Sequence, residues 1–245
     1  MVLHVERYDA RERSEAFRRA IGEEAFPPWL IHGDPDSDVW WDRVRRWFPE
    51  LHVVLEDDDG PVASAWGVPL AWSGAVDDLP SGYTESLRRA VEGHEQGARP
   101  TALVVCAAVV LPERARSGLA GRLLEAMRDL PAAAHLAHVL VPVRPTLKGR
   151  YPLADIDAFT RWARPDGLPL DPWLRTHVRI GGRIIATAPA SQTLRASVAD
   201  WEAWSGLALP ASGPYVVPDA PAPLVVDRDA DVGVLVEPNV WVQHR

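Results

Sequence analysis

The pattern of apolar and polar positions divides the chain into short strands and amphipathic helices. Strands are predicted where apolar residues alternate or run together, over 2–8, 51–56, 61–72, 101–110, 134–143, 183–187 and 233–243. Helices are predicted where apolar residues recur every three or four positions, over 9–26, 36–48, 82–97, 117–130, 156–163, 171–182 and 198–205. Asp9 is the expected N-cap of the first helix, and Asp57 to Gly60 is a hairpin turn. The order of these strands and helices along the chain predicts an α/β fold.

One stretch joins a buried strand to a helix through a loop of small residues. Gly118, Ala120 and Gly121 leave room for close approach of a ligand to the backbone. The N–H groups and positive dipole end of the following helix attract anions, and Arg114 and Arg116 add charge. The stretch therefore predicts a pyrophosphate site, with an ordinary strand–turn–helix, whose glycines serve packing, as the alternative.

The spacing in this loop resembles the acyl-CoA-binding motif of the GNAT superfamily of N-acetyltransferases, Arg/Gln-x-x-Gly-x-Gly/Ala after a buried strand. Gly118 and Ala120 fall on the two small positions, while Ala115 stands where the motif has Arg or Gln. The order of predicted elements is similar as well. The resemblance implies a mixed, mostly antiparallel sheet flanked by helices. Its central parallel strands, here 101–110 and 134–143, would splay apart to admit the pantetheine arm.

The resemblance also implies the donor and the residues that hold it. Acetyl-CoA, or another acyl-CoA, is the expected donor, a small-molecule amine is the expected acceptor, and no metal is expected. The backbone N–H of Val109 or Val110 would stabilise the oxyanion during direct attack by the amine. The residues expected to bind the cofactor are Ala108, Val109, Val110, Arg114, Ala115, Arg116, Ser117, Gly118, Leu119, Ala120 and Gly121.

The helix predicted at 171–182 carries the candidate catalytic residue. Asp171 is its expected N-cap and Gly181 its expected C-cap. Many N-acetyltransferases have, four residues before this glycine, a tyrosine that protonates the departing thiolate. The residue here is His177, and a histidine can act as a general acid near neutral pH. A buried structural histidine fits the same pattern.

The C-terminal part is also similar to the GNAT-like domains of polyketide synthase loading modules. Those domains decarboxylate a malonyl thioester or pass an acyl group to a carrier-protein thiol. His177 matches their histidine, and Thr146 is the candidate for their threonine. Glu237 is a candidate base or an ordinary charge on the last strand. A thioester enzyme with a carrier-protein partner and a catalytically idle CoA-binding module thus remain alternatives to N-acetyl transfer.

Composition limits the classes of binding partner and indicates the cellular compartment. A net charge of −8 in 245 residues argues against nucleic acid or an anionic membrane as a partner. The single cysteine, Cys106, excludes an intramolecular disulfide. The chain starts without a signal-peptide pattern and has no apolar run near the ~20 residues of a membrane span, so a cytoplasmic protein is expected.

Two further expectations concern the organisation and the source of the chain. Residues 1–245 are expected to form one GNAT-like domain, with insertions near 144–170 and 188–232. Arginine far outnumbers lysine, of which Lys148 is the only one, and this bias is typical of a GC-rich bacterial genome. The sequence leaves the oligomeric state open.

Overall fold

The computed structural model describes residues 3–115, 117–130, 133 and 135–244. Its strands are β1 (His4–Arg7), β2 (His52–Asp57), β3 (Gly60–Leu70), β4 (Ala102–Val110), β5 (His138–Val143), β6 (Arg183–Ala196), β7 (Gly213–Tyr215), β8 (Leu224–Asp227) and β9 (Val232–Gln243). Its helices are α1 (Glu15–Ile21), α2 (Pro28–His32), α3 (Pro35–Trp47), α4 (Tyr83–Glu95), α5 (Leu119–Arg128), α6 (Ile156–Thr160), α7 (Pro172–Arg179) and α8 (Val198–Ser205). Arg116 and the first residues of the strands predicted at 2–8 and 134–143 lie outside the described residues.

The nine strands found among the described residues belong to one mixed sheet. The strands β1 to β4 form an antiparallel meander, β5 lies parallel to β4, and β9 lies antiparallel to β5. The long strand β9 pairs with β6 along one edge and with β5 and β8 along the other, and β7 ends the sheet beside β8. The predicted α/β fold with a mixed, mostly antiparallel sheet is confirmed.

The two central parallel strands separate, as predicted. The strands β4 and β5 pair at only three positions, from Ala102 opposite His138 to Val104 opposite Leu140. Beyond Val104, the rest of β4 pairs with β3 alone. The strand β4 also bulges, because Val105 and Ala107 lie opposite consecutive residues of β3 and leave Cys106 without an opposite residue. The result is a wedge-shaped gap on one side of β4.

The helix predicted at 9–26 is shorter and begins later than expected. It covers Glu15–Ile21, and its N-cap is Ser14, whose hydroxyl accepts the Phe17 N–H at 3.2 Å. The expected cap at Asp9 was therefore wrong. The reason lies in Arg13, which is buried and donates to the backbone carbonyls of Arg7 and Tyr8. These bonds hold the preceding segment against the end of β1, where it forms a short 3-10 helix over Tyr8–Ala10 and becomes extended at Arg11 instead of continuing into α1.

The segment 188–232 contributes more regular structure than the sequence predicts. The strand β6 continues past the expected end at residue 187 because it resumes pairing with β9 after a bulge between Ala188 and Gln192. The strands β7 and β8 were not predicted. Both are short, and single-sequence patterns are weak over three or four residues.

Two buried apolar clusters pack against the sheet. The larger one lies under β2 to β5 and includes Leu87, Leu103, Leu123 and Leu140. The smaller one is built mostly from the segment 188–232, with Trp29 of α2 and Leu235 of β9; its other members are Leu194, Val198, Trp201, Leu209, Val217, Ala220, Leu224 and Val226. None of the described helices has the length and apolarity to cross a bilayer.

Lys148 is buried although it carries an amine. Its Nζ donates to the carbonyls of Pro221 at 2.6 Å, Tyr151 at 2.9 Å and Pro152 at 3.5 Å. Burial lowers the pKa of the ammonium. Through these hydrogen bonds, the side chain connects the 148–152 turn to the segment before β8.

Candidate active site

The gap between β4 and β5 opens into a cavity of about 750 Å³. This volume falls within the ~300–1,000 Å³ of small-molecule sites. The cavity is lined by both walls of the gap, the loop before α5, one face of α7 and the segment between α1 and α2. The lining residues on the walls, on α7 and in that segment are Val105, Cys106, Ala107, Ala108, Val110, Val141, Pro142, Val143, Arg144, Thr146, Trp173, Thr176, Arg179, Ile180, Ala25, Phe26 and Pro27.

Backbone donors of β4 point into this gap. Leu111 donates its N–H to the carbonyl of Val62 on β3, next to the pair Ala63 and Val110. Because donors alternate sides along a strand, the N–H of Val109 faces β3, and those of Ala108 and Val110 face away from it. No described residue of β5 pairs with this part of β4. A ligand in the gap can therefore accept hydrogen bonds from β4 as an added strand would.

The start of α5 forms the end wall of the cavity. Gly118, the N-cap residue, has a φ of 82°, a left-handed conformation that favours glycine. A Cβ there would meet nothing within 4 Å, so conformation rather than packing requires the glycine. No side chain of a described residue caps this helix, and its first N–H groups are available to an anion.

Two arginines add positive charge beside the start of α5. Arg114 lines the cavity and forms ion pairs with Asp57 at 3.0 Å and Asp59 at 3.1 Å in the β2–β3 turn. Arg179, in the last turn of α7, lines the cavity, and its guanidinium interacts with the charge of Asp166 without forming a hydrogen bond or close ion pair with a described residue. No acidic residue lines the cavity within the described chain, so the site is basic although the whole chain is acidic.

A third arginine lies on the opposite wall. Arg144 follows directly after β5, and its Nε donates to both carboxylate oxygens of Glu237 at 3.0 and 3.1 Å. Glu237 itself is fully buried and does not line the cavity. The candidate base is thus committed to an ion pair. Sequence reasoning missed Arg144, whose only local signal is its position after a buried strand.

The structure brings most of the residues predicted for cofactor binding to the cavity. Those that line it are Ala108, Val110, Arg114, Ala115, Ser117, Gly118, Leu119, Ala120 and Gly121. Val109 does not line it, and Arg116 lies outside the described residues. The binding roles themselves stay predictions.

His177 lies behind the cavity wall. It is fully buried, and its Nδ1 lies 2.8 Å from Nε2 of His244. The cavity is lined instead by its neighbours on α7, Trp173 and Thr176. Burial, with a smaller contribution from His244, lowers the pKa of His177 to about 3. With this pKa the ring is a neutral imidazole at neutral pH, and its remaining N–H is a very weak acid. The role of His177 as the general acid therefore stays a prediction that its burial weighs against.

Acid should destabilise the protein through His177. Its folded-state pKa lies below the unfolded value, so the unfolded chain binds the proton first and stability falls as pH drops below ~6.5. Between about pH 7.5 and 5.5 this one group removes about 1.4 kcal/mol. Urea unfolding at both pH values measures the loss. His177→Gln is neutral throughout, and its loss should be smaller by that amount; equal losses would contradict the burial argument.

Two other features of the site limit its chemistry. Burial raises the pKa of the Cys106 thiol, which keeps this cavity-lining side chain protonated and a poor nucleophile. Within the described residues, no group of three or more His, Cys, Asp or Glu side chains is arranged to hold a metal.

Comparisons with known proteins agree with this geometry. No family model matches the chain. The chain is 33% identical over 246 residues to the arginine N-acetyltransferase avaD of Aspergillus versicolor, which covers 89% of this chain and 84% of the relative. Because this relative is fungal, a bacterial source stays a prediction.

Two solved structures have the same fold. The loading GNATL domain of CurA from Lyngbya majuscula matches with a TM-score of 0.61 at 18% identity, over 100% of this chain and 98% of that one. The GphF GNAT-like decarboxylase, solved in complex with isobutyryl-CoA, matches with a TM-score of 0.57 at 16% identity, over 100% and 98% of the two chains. Together with the 33% identical relative, the splayed strands identify this chain as a member of the GNAT superfamily of N-acetyltransferases.

Proposed function

We propose that this protein transfers an acetyl group from acetyl-CoA to an amine of a small molecule, and that arginine is the first acceptor to test. The observation that carries the proposal is one cavity that combines unpaired backbone of β4 with the start of α5. The relative named above acts, by its name, on arginine. The proposal places the reaction in the cytoplasm.

The donor would lie with its phosphates at α5 and its thioester along β4. The first N–H groups of α5, with Arg114 and Arg179, would hold the pyrophosphate by charge-assisted hydrogen bonds. Gly118 provides the left-handed turn that precedes these N–H groups. When bound, acetyl-CoA supplies an activated acetyl group.

In the reaction, the amine nitrogen would attack the thioester carbonyl carbon. A C–N bond forms, the C–S bond breaks with its electron pair on sulfur, and one proton passes from nitrogen to sulfur. The gap-facing N–H groups of Ala108 and Val110 are the donors that would stabilise charge on the carbonyl oxygen. With no carboxylate among the described lining residues, solvent is the proposed proton acceptor for the incoming ammonium.

The thioester alternative has less support from the geometry. It requires the histidine and the threonine to face the same acyl group. Thr146 lines the cavity, whereas His177 is fully buried away from it. We therefore favour an amine acceptor over a carrier-protein thiol.

The test combines product detection with donor binding. Acetyl-CoA is incubated with the protein and a panel of arginine, ornithine, lysine and agmatine, and both free CoA thiol and the acetylated product are measured. We expect arginine to gain one acetyl group. Acetyl-CoA should also raise the unfolding temperature, since ligand at ~100 times Kd adds about 2.7 kcal/mol.

Two kinds of outcome contradict the proposal, and a third concerns His177 alone. A thermal shift without product from any amine would indicate an idle CoA-binding module. Loss of CO₂ from malonyl-CoA, or acyl transfer only to a carrier-protein thiol, would establish the thioester alternative. Turnover by His177→Ala equal to that of the wild type would remove His177 from the mechanism and leave the function standing.

A further inference from the structure

Arg144 is a cationic side chain of the cavity that the proposed donor site does not use. Arg114 and Arg179 lie near the start of α5; α7 approaches that point closely enough for a Cβ on Gly121 to lie 3.6 Å from Cγ2 of Ile180. Arg144 instead follows β5, on the other wall of the gap. The cavity therefore has a second place for an anion.

The fold holds this guanidinium in one orientation. Its Nε donates to both oxygens of the buried Glu237, and its Nη2 donates to the Asp219 carbonyl at 3.4 Å. Its Cζ lies over the Trp29 ring, 5.3 Å from the ring centroid. These three contacts come from β9, α2 and the segment before β8. A side chain fixed from several elements is preorganised to bind a ligand without losing much conformational freedom.

A hydrogen-bond network supports the carboxylate that holds Arg144. Asn239 donates its Nδ2 to Glu237 at 3.4 Å and accepts the hydroxyl of Ser191. Ser191 in turn accepts the N–H of Tyr83 at 2.8 Å. The network links the cavity wall to Tyr83, the first residue of α4. The position of Glu237 therefore depends on how β9, β6 and α4 pack together.

Arg144 nevertheless keeps capacity for a ligand. About 27% of its side chain is exposed, whereas Glu237 has 0% exposure. Its Nη1 donates to no described residue. The pairing through Nε leaves Nη1 and the second N–H of Nη2 available, and a guanidinium edge binds carboxylate or phosphate oxygens in pairs.

We propose that Arg144 binds the carboxylate of the acceptor, so that the substrate class is amino acids rather than simple amines. This inference rests on the proposed acetyl transfer. A phosphate group of the donor is the other anion that this guanidinium would bind. The position of Arg144 beside Trp29, across the gap from the start of α5, favours the acceptor.

The test compares arginine with arginine amide, which keeps the amine and the guanidine but lacks the carboxylate. The key variant is the double substitution Arg144→Gln with Glu237→Gln, because removing Arg144 alone would leave Glu237 buried without a partner. Glu237→Gln alone is the matched control that keeps the guanidinium. Arg179→Gln is the control for the donor, expected to raise KM for acetyl-CoA.

For the wild type, we expect KM for arginine amide to exceed KM for arginine by about ten-fold or more, as loss of a charge-assisted bond predicts. In the double variant the ratio should fall to about three or less, with KM for acetyl-CoA changed by less than about three-fold. A ratio that stays at ten-fold would overturn the proposal. A selective rise in KM for acetyl-CoA would assign Arg144 to the donor instead.

Calorimetric binding separates this proposal from the function on which it rests. Arginine and arginine amide are titrated into the protein saturated with CoA. A preference for arginine that the double variant loses supports the carboxylate site even if no acetylated product forms. Equal binding of the two compounds by the wild type would refute the site whatever the activity.

Discussion

Replacing Ser117 with glutamate should abolish measurable acetyl-CoA binding and leave the fold intact. Ser117 is exposed and lines the cavity directly before Gly118, the N-cap of α5. A carboxylate there would lie close to the proposed pyrophosphate position, and like charges ~4 Å apart repel by about 4 kcal/mol at an effective dielectric constant of ~20. We expect Kd for acetyl-CoA to rise by at least ~100-fold.

The control for this prediction is Ser117→Gln, which has the same shape without the charge. Both variants lose the bond from the serine hydroxyl to the Arg114 carbonyl, so any difference between them reports charge alone. Calorimetry with acetyl-CoA gives the two values of Kd, and thermal unfolding without ligand checks the fold. Similar binding by the two variants would mean that the phosphates lie elsewhere.

A single methyl group added at residue 82 should strongly destabilise the fold. A Cβ on Gly82 would lie 2.2 Å from the Cα of Ser191 and 2.5 Å from its Cβ. One of these atoms belongs to the backbone of β6, so the neighbouring strand or the start of α4 has to move. We expect Gly82→Ala to cost about 3 kcal/mol and to lower Tm by ~6–12 °C.

The same helix provides the opposite control. Gly93 lies within α4, and a Cβ there would meet only Ala98 Cβ at 3.7 Å, an ordinary contact. Because glycine within a helix costs conformational entropy, Gly93→Ala should raise stability by about 0.5–1 kcal/mol. Calorimetric scans of both variants measure the difference. Equal effects would show that the approach of α4 to β6 is looser than the structure has it.

The loop before α5 was predictable because its signal is local. A buried strand, small residues and a helix start follow one another within 30 residues, and each has a sequence signature. Gly118 shows the rule at one position, since its left-handed φ is the conformation for which glycine is selected. Asp171 shows it again, because its carboxylate caps α7 as its position before Pro172 predicts.

The other wall of the site could not be predicted in this way. Arg144 and Glu237 are far apart in the sequence and meet only because β9 pairs with β5 in one register. The spacing of residues along the helix also failed to show which side of α7 faces the cavity. Trp173 and Thr176 line the cavity, while His177 turns to His244 near the end of the chain. Such contacts depend on pairing register, which no local pattern contains.

The burial of Lys148 determines how this protein behaves toward reagents that modify amines. No other side chain in the sequence carries a primary amine, and this one is enclosed with its three carbonyl partners. Acetyl-CoA or an activated ester added to the folded protein would therefore have no accessible lysine side chain to acylate. Lysine acetylation therefore does not compete with the added acceptor in an assay. An amine-directed reagent reaches instead the α-amine of the chain, which becomes the target for coupling to a surface or a dye.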